Sequence, residues 1–136
     1  MFRFVRAAVA AVVGSAGAVA VAAVAAGSDH TKDTLDTVRK AVADGKAVLV
    51  DVREADEWKD GHLADAKHLA LSDLKAGVPA DKLKKTLPEG KVVYLHCASG
   101  KRCLKAADLL KDKGYDVRPL KAGFEDLARA GFPKAK

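Results

Sequence analysis

The chain has 136 residues and a formal charge of +6, from 24 Lys and Arg against 18 Asp and Glu. That length argues for one domain. The lysines and acids are interspersed, and only 5% of residues are aromatic, so the charge describes a solvated surface and excludes an extended nucleic-acid footprint. Two cysteines are too few for a disulfide scaffold. Both fall within one short stretch, which favours sulfur or redox chemistry over stapling.

Residues 1–26 do not read as domain material. Arg3 and Arg6 precede an uncharged run of Ala and Val from Ala7 to Ala26, the pattern of a secretory signal peptide with Ala-x-Ala cleavage sites at Ala20–Ala22 and Ala23–Ala25. The run is also long enough for an N-terminal membrane anchor. In either case the basic end stays on the cytoplasmic side, so the domain is expected to be exported, periplasmic or otherwise extracytoplasmic, with membrane contact only if the leader is uncleaved. Residues 27–33 read as a polar linker and residues 34–133 as the folded domain.

Along that domain, Leu35, Val38 and Val42 recur at helical spacing ahead of Gly45. The run Ala47–Val52 suits a strand covered on both faces. Glu54–Lys59 is expected to form a short helix with Trp58 facing the core, and Lys67–Leu71 a short strand. Ser72 is expected to cap a helical turn that runs to Gly77, followed by a helix over Pro79–Leu87 and a turn at Pro88–Gly90. A third strand covers Val92–His96, a helix Leu104–Lys113, a fourth strand Asp116–Leu120, and a last helix Phe124–Arg129. Strands alternating with helices predict an α/β fold, a parallel sheet with helices on both faces. Sites in such sheets form at the carboxyl ends of strands. Asp51-Val52-Arg53 and Cys97 both lie there and can converge.

The stretch His96-Cys97-Ala98-Ser99-Gly100-Lys101-Arg102-Cys103 carries the chemistry. A strand runs into a cysteine, a small glycine-containing cationic loop follows, and a helix begins near Cys103. Loop amides and a helix N-terminus then point at one spot. A thiol there has its thiolate stabilised by the helix dipole and the neighbouring cations. Lys101 and Arg102 are placed to hold an anionic ligand, and Gly100 is expected to supply a conformation that a Cβ would hinder. The four histidines are scattered without ligand spacing, so no metal site and no cofactor are expected.

These residues, taken together, resemble the single-domain rhodaneses. The resemblance rests on Val48–Arg53, Glu57-Trp58, Gly61-His62-Leu63, the Cys97-x-x-Gly100-x-Arg102 loop, Gly123-Phe124 and Gly131-Phe132-Pro133, and covers about Thr34 to Pro133. It implies a three-layer fold around a mostly parallel sheet of four to five strands. It also implies a thiosulfate sulfurtransferase in which Cys97 carries a persulfide, taking sulfur from a small anionic donor and giving it to cyanide or a thiol acceptor, with a thioredoxin-like protein as the reductant. Residues Ala98 to Cys103 would bind the donor, Asp51 and Arg53 would frame the loop as an ion pair, and His62 would be a structural hydrogen-bonder. Phosphatases and arsenate reductases of similar fold use a Cys-x5-Arg loop, and the Cys-x4-Arg loop here suits a single sulfur atom better than a tetrahedral oxyanion. Cys103 stands where the family often has Ser. It is either a small filler or a resolving thiol able to form a disulfide with Cys97. A non-catalytic persulfide carrier and a thiol–disulfide redox protein are the alternative readings.

Overall fold

The computed structural model describes residues 27–136; the expected leader lies outside them. Ten elements follow the domain in sequence: α1 (Leu35–Ala43), β1 (Ala47–Asp51), α2 (Ala55–Lys59), β2 (Ala66–His68), α3 (Leu71–Ala76), α4 (Ala80–Thr86), β3 (Val92–His96), α5 (Arg102–Lys111), β4 (Asp116–Pro119) and α6 (Phe124–Arg129). The strands form one parallel sheet in the order β2-β1-β3-β4, so among the described residues the sheet has four strands.

Period-2 alternation sorts side chains onto two cores. On one face Val50, Val52, Val93 and Leu95 pack against Leu71 and Leu74 of α3, Leu83 of α4 and Ala106, Ala107 and Leu110 of α5. On the other, Leu49 and Tyr94 pack against Val38 of α1 and Phe124 and Leu127 of α6. β1 and β3 therefore bury both faces, which is why their sequences read as continuous apolar runs.

The order reverses at β1: the chain steps outward to β2, then returns across β1 to β3. The crevice beyond the carboxyl ends of β1 and β3 is the topological switch point, where open α/β sheets hold their ligands. Register puts Asp51 opposite His96 there, and Val52 N–H donates to His96 O at 3.0 Å. Cys97 follows directly.

Local structure departs from expectation at three places. Trp58 does not face the core. α2 buries no residue, and the half-buried indole stacks on His62 at 3.6 Å and on His68 at 4.8 Å between ring centroids. Ser72 does not cap α3, because the helix starts two residues earlier than such a cap would allow, with Ala70 at the N-cap; its hydroxyl donates to Glu54 Oε2 at 2.6 Å instead. The strand expected over Lys67–Leu71 ends at His68. The amides of Leu69 and Leu71 still bond Asp51 O and Val52 O, but α3 begins at Leu71. Residues 27–33 carry no helix or strand and are held by Thr31 N–H on Pro119 O at 2.8 Å, Ser28 on Asp108 and Asp33 on Tyr94 and Arg118.

Candidate active site

Cys97 sits at the end of β3 and is wholly buried. The chain after it turns through Ala98 and Ser99, both exposed, to Gly100 at φ +85°. This is left-handed backbone that a side chain rarely adopts. A Cβ on Gly100 would also lie 2.7 Å from Lys121 O. The turn aims the Gly100 N–H at the Cys97 sulfur, 3.0 Å away. α5 then begins with Lys101 at its N-cap, and no side chain caps its first amides. Those orphan donors are free to serve an anion at the helix's positive end.

The sulfur is that anion. The Cys97 thiol is held down to about 5, first by a hydrogen bond from the Cys103 thiol and then by the amides of Cys103, Ser99 and Gly100, against an opposing contribution from burial. Cys103 is also wholly buried. Its single S–H also lies within reach of Gly100 O (3.1 Å) and Leu120 O (3.3 Å), which compete with the Cys97 sulfur for that one proton. Bonding to the Cys97 thiolate, burial and the neighbouring negative charge push Cys103 far above the ordinary thiol range. The two shifts oppose each other and favour a thiolate on Cys97 beside a thiol on Cys103.

The loop is fixed from three sides. Phe124 N–H donates to Cys97 O at 2.8 Å, and a Cβ on Gly123 would stand 1.8 Å from Ala98 O, so this position admits only glycine. Behind β1, Asp51 and Arg53 form the expected ion pair, with Nε and Nη2 of Arg53 on the carboxylate at 2.8–3.1 Å. The same guanidinium reaches Gly61 O at 2.7 Å and lies 4.2 Å above the Phe124 ring, tying β1, the Gly61 turn and α6 together. His62 Nδ1 donates to Trp58 O at 2.9 Å. His96 is buried with neither ring nitrogen hydrogen-bonded, 3.9 Å from Asp51; burial pushes its pKa down, so it is neutral.

Two features of the site carry no strong signal in the sequence. The Arg102 guanidinium, expected to face an anionic ligand, forms a two-pronged pair with Glu57 of α2, with Nη2 to Oε2 at 2.8 Å. The Arg102 contact is the main cause that holds the Glu57 carboxyl down to about 2. Glu57 is fixed in turn by a capping box in which it accepts from the Glu54 N–H; the Glu54-x-x-Glu57 spacing is the one trace of it in the sequence. Lys101 is exposed. The second feature is His30, whose Nε2–H donates to Gly100 O at 2.6 Å. Among the described residues no cluster of His, Cys, Asp or Glu could hold a metal ion.

A thiolate on loop amides at the switch point of a parallel sheet defines a class of cysteine-centred anion loops, and comparison with known proteins names it. The chain belongs to the rhodanese-like domain family, which matches residues 34–130. It is 33% identical over 98 residues to the thiosulfate sulfurtransferase GlpE of Pseudomonas savastanoi pv. phaseolicola, covering 69% of this chain and 83% of that protein. It is 37% identical over 81 residues to the uncharacterized protein YqhL of Bacillus subtilis, covering 59% and 60%, and it spans 17% of a tRNA sulfurtransferase of Desulfurococcus amylolyticus. Thus the chain spans less than two thirds of the length of several curated relatives it matches. Among solved structures, the human single-domain sulfurtransferase TSTD1 superposes with a TM-score of 0.63 over 76% of this chain and 97% of its own, at 24% identity; that likeness establishes the fold.

Proposed function

We propose that this protein is a sulfurtransferase that moves sulfane sulfur from thiosulfate, or a similar small anionic donor, through a persulfide on Cys97 to cyanide or a thiol. The observation that carries this reading is the Cys97 sulfur held as a thiolate by the Gly100 amide at 3.0 Å. In the first step the thiolate attacks the outer sulfur of thiosulfate. A Cys97 S–S bond forms, the donor's S–S bond breaks and sulfite leaves with the electron pair. In the second step cyanide or a thiolate attacks the terminal sulfur and Cys97 departs as thiolate. Covalent catalysis thus splits the transfer in two, and the amides that hold the thiolate also hold the persulfide anion. The names of GlpE and TSTD1 support the same reading.

The test is thiocyanate formation from thiosulfate and cyanide by the full chain, beside Cys97→Ala. Turnover with wild type and a gain of one sulfur atom on the Cys97 peptide are expected. Turnover surviving Cys97→Ala would overturn the mechanism. A persulfide that forms without turnover would make the protein a carrier.

The contact of Cys103 with Cys97 supports a second reading, in which Cys103 attacks the persulfide, releases sulfide and leaves a Cys97–Cys103 disulfide. Its elevated pKa favours a hydrogen-bond donor over a nucleophile. Cys103→Ser, which keeps a donor, is therefore expected to retain turnover. A disulfide in non-reduced wild type after thiosulfate treatment would reverse that assignment. Export is proposed from residues 1–26, and cell fractionation of the full chain tests it.

A further inference from the structure

We propose that His30, on the strap of residues 27–33 that precedes the family match, is a positioning residue for the Cys97 loop, acting through the Gly100 carbonyl. The inference rests on Cys97 being the reactive thiolate.

Gly100 is the hinge of the loop: its N–H faces the Cys97 sulfur at 3.0 Å, and its carbonyl accepts from His30 Nε2–H at 2.6 Å and from the Cys103 thiol at 3.1 Å. The Cys103 proton is shared with Leu120 O and the Cys97 sulfur, so His30 is the donor committed to that oxygen. A glycine's φ and ψ are loosely restrained, and those two angles alone relate the direction of its carbonyl to that of its N–H. Clamping the carbonyl therefore aims the amide. The clamp is itself anchored on either side of His30. Ser28 N–H and Oγ–H meet Asp108 of α5 at 2.7 and 2.6 Å, and Thr31 N–H meets Pro119 O at 2.8 Å. Asp33 accepts from Tyr94 Oη at 2.7 Å and from Arg118 at 2.9 Å. Five hydrogen bonds from Ser28, Thr31 and Asp33 thus fix the backbone on both sides of the imidazole. The family match begins at residue 34, so this contact is made by chain outside it.

The experiment is an ultraviolet titration of the Cys97 thiolate in the full chain, assigned to Cys97 by its absence in Cys97→Ala. Wild type is expected to titrate near 5. His30→Ala is expected to raise the midpoint by about half to one pH unit, the loss of part of one charge-assisted hydrogen bond. At pH 4.5 the thiolate fraction then falls about three- to eightfold. His30→Gln, which keeps an N–H donor, is expected to restore the midpoint. Asp108→Ala, which removes one anchor of the strap but keeps the His30 donor, is expected to shift it by clearly less than His30→Ala does. His30→Leu gives the same reading where His30→Ala does not fold. An unmoved midpoint in His30→Ala overturns the proposal; so does failure of His30→Gln to restore it, or an equal shift from Asp108→Ala. The readout needs no sulfur donor, so a protein that transfers no sulfur yet shows the shift would lose the sulfurtransferase reading and keep this one.

Discussion

Two arginine–carboxylate pairs brace the Cys97 loop, and they differ in burial. The Asp51 carboxylate and Arg53 guanidinium are 0% and 7% exposed, whereas Arg102 and Glu57 are 32% and 33% exposed. The buried pair is held on several sides: Nε and Nη2 of the guanidinium on the carboxylate, Nη2 also on Gly61 O, and an aromatic face beneath. It has almost no access to solvent. The half-exposed pair lies at the start of α5, one residue from Cys103, with water on one side to solvate either partner once they separate. Burial thus divides one kind of contact into two roles. The inner pair is a fixed frame; under the proposed function the outer pair is the one an anionic donor would exchange with, by displacing Glu57 from the guanidinium.

The sharpest way to break that comparison is to remove one partner of each pair. Arg53→Ala leaves Asp51 charged, buried and unpaired, and is expected to cost about 3–5 kcal/mol, read as a fall in the urea midpoint without a change in slope. Glu57→Gln leaves Arg102 half-solvated and is expected to cost at most about 1 kcal/mol. A Glu57→Gln variant as unstable as Arg53→Ala would show that both pairs are structural. Exchange also has a kinetic signature. Without its internal competitor, Arg102 in Glu57→Gln is expected to lower KM for thiosulfate about threefold at low salt, with the gain fading as salt is added. Arg102→Ala is expected to raise KM about tenfold with a smaller change in kcat. Unchanged KM in both would leave Lys101 as the cation that meets the donor.

The inner frame was legible in the sequence and the outer one was not, and the reason is distance along the chain. Asp51-Val52-Arg53 is a local motif at the end of an apolar run, three adjacent residues that the family resemblance reads as a frame, with Arg53 just past the end of β1. Val92–His96 and Phe124–Arg129 were readable to the residue for the same kind of reason: an uninterrupted run of apolar residues, and a helical pattern opened by Gly123 and closed before Gly131. Arg102 and Glu57 are 45 residues apart, and His30 and Gly100 are 70 apart; periodicity carries no information about which distant polar groups meet. Trp58 misled for a different reason. Its size and apolar surface point to a core, but an indole is amphipathic, and on a five-residue helix without buried positions it found two imidazoles instead. Ser72 looked like a cap because Ser is a good one, yet a tertiary acceptor, Glu54, outbid the backbone.

The smallest effect expected is in acid, and it isolates the outer pair. Arg102 holds the Glu57 carboxyl down to about 2 in the folded protein, below the value near 4.3 of an unconstrained glutamate. A carboxyl whose pKa is lowered by folding stabilises the native state fully above its unfolded pKa, and that contribution is lost as pH falls through the folded pKa. The window is therefore about pH 4.5 down to 2. With a third of each side chain in water, the contribution lost is no more than about 1 kcal/mol. Subtracting the stability of Glu57→Gln from that of wild type at each pH cancels every other acid group. The difference should be positive and flat from neutral pH to about pH 5 and decline towards zero by about pH 2. A difference that is already zero at pH 7 would mean that solvent screening leaves the pair no net stability, and that Glu57 serves only to hold Arg102 until the donor takes its place.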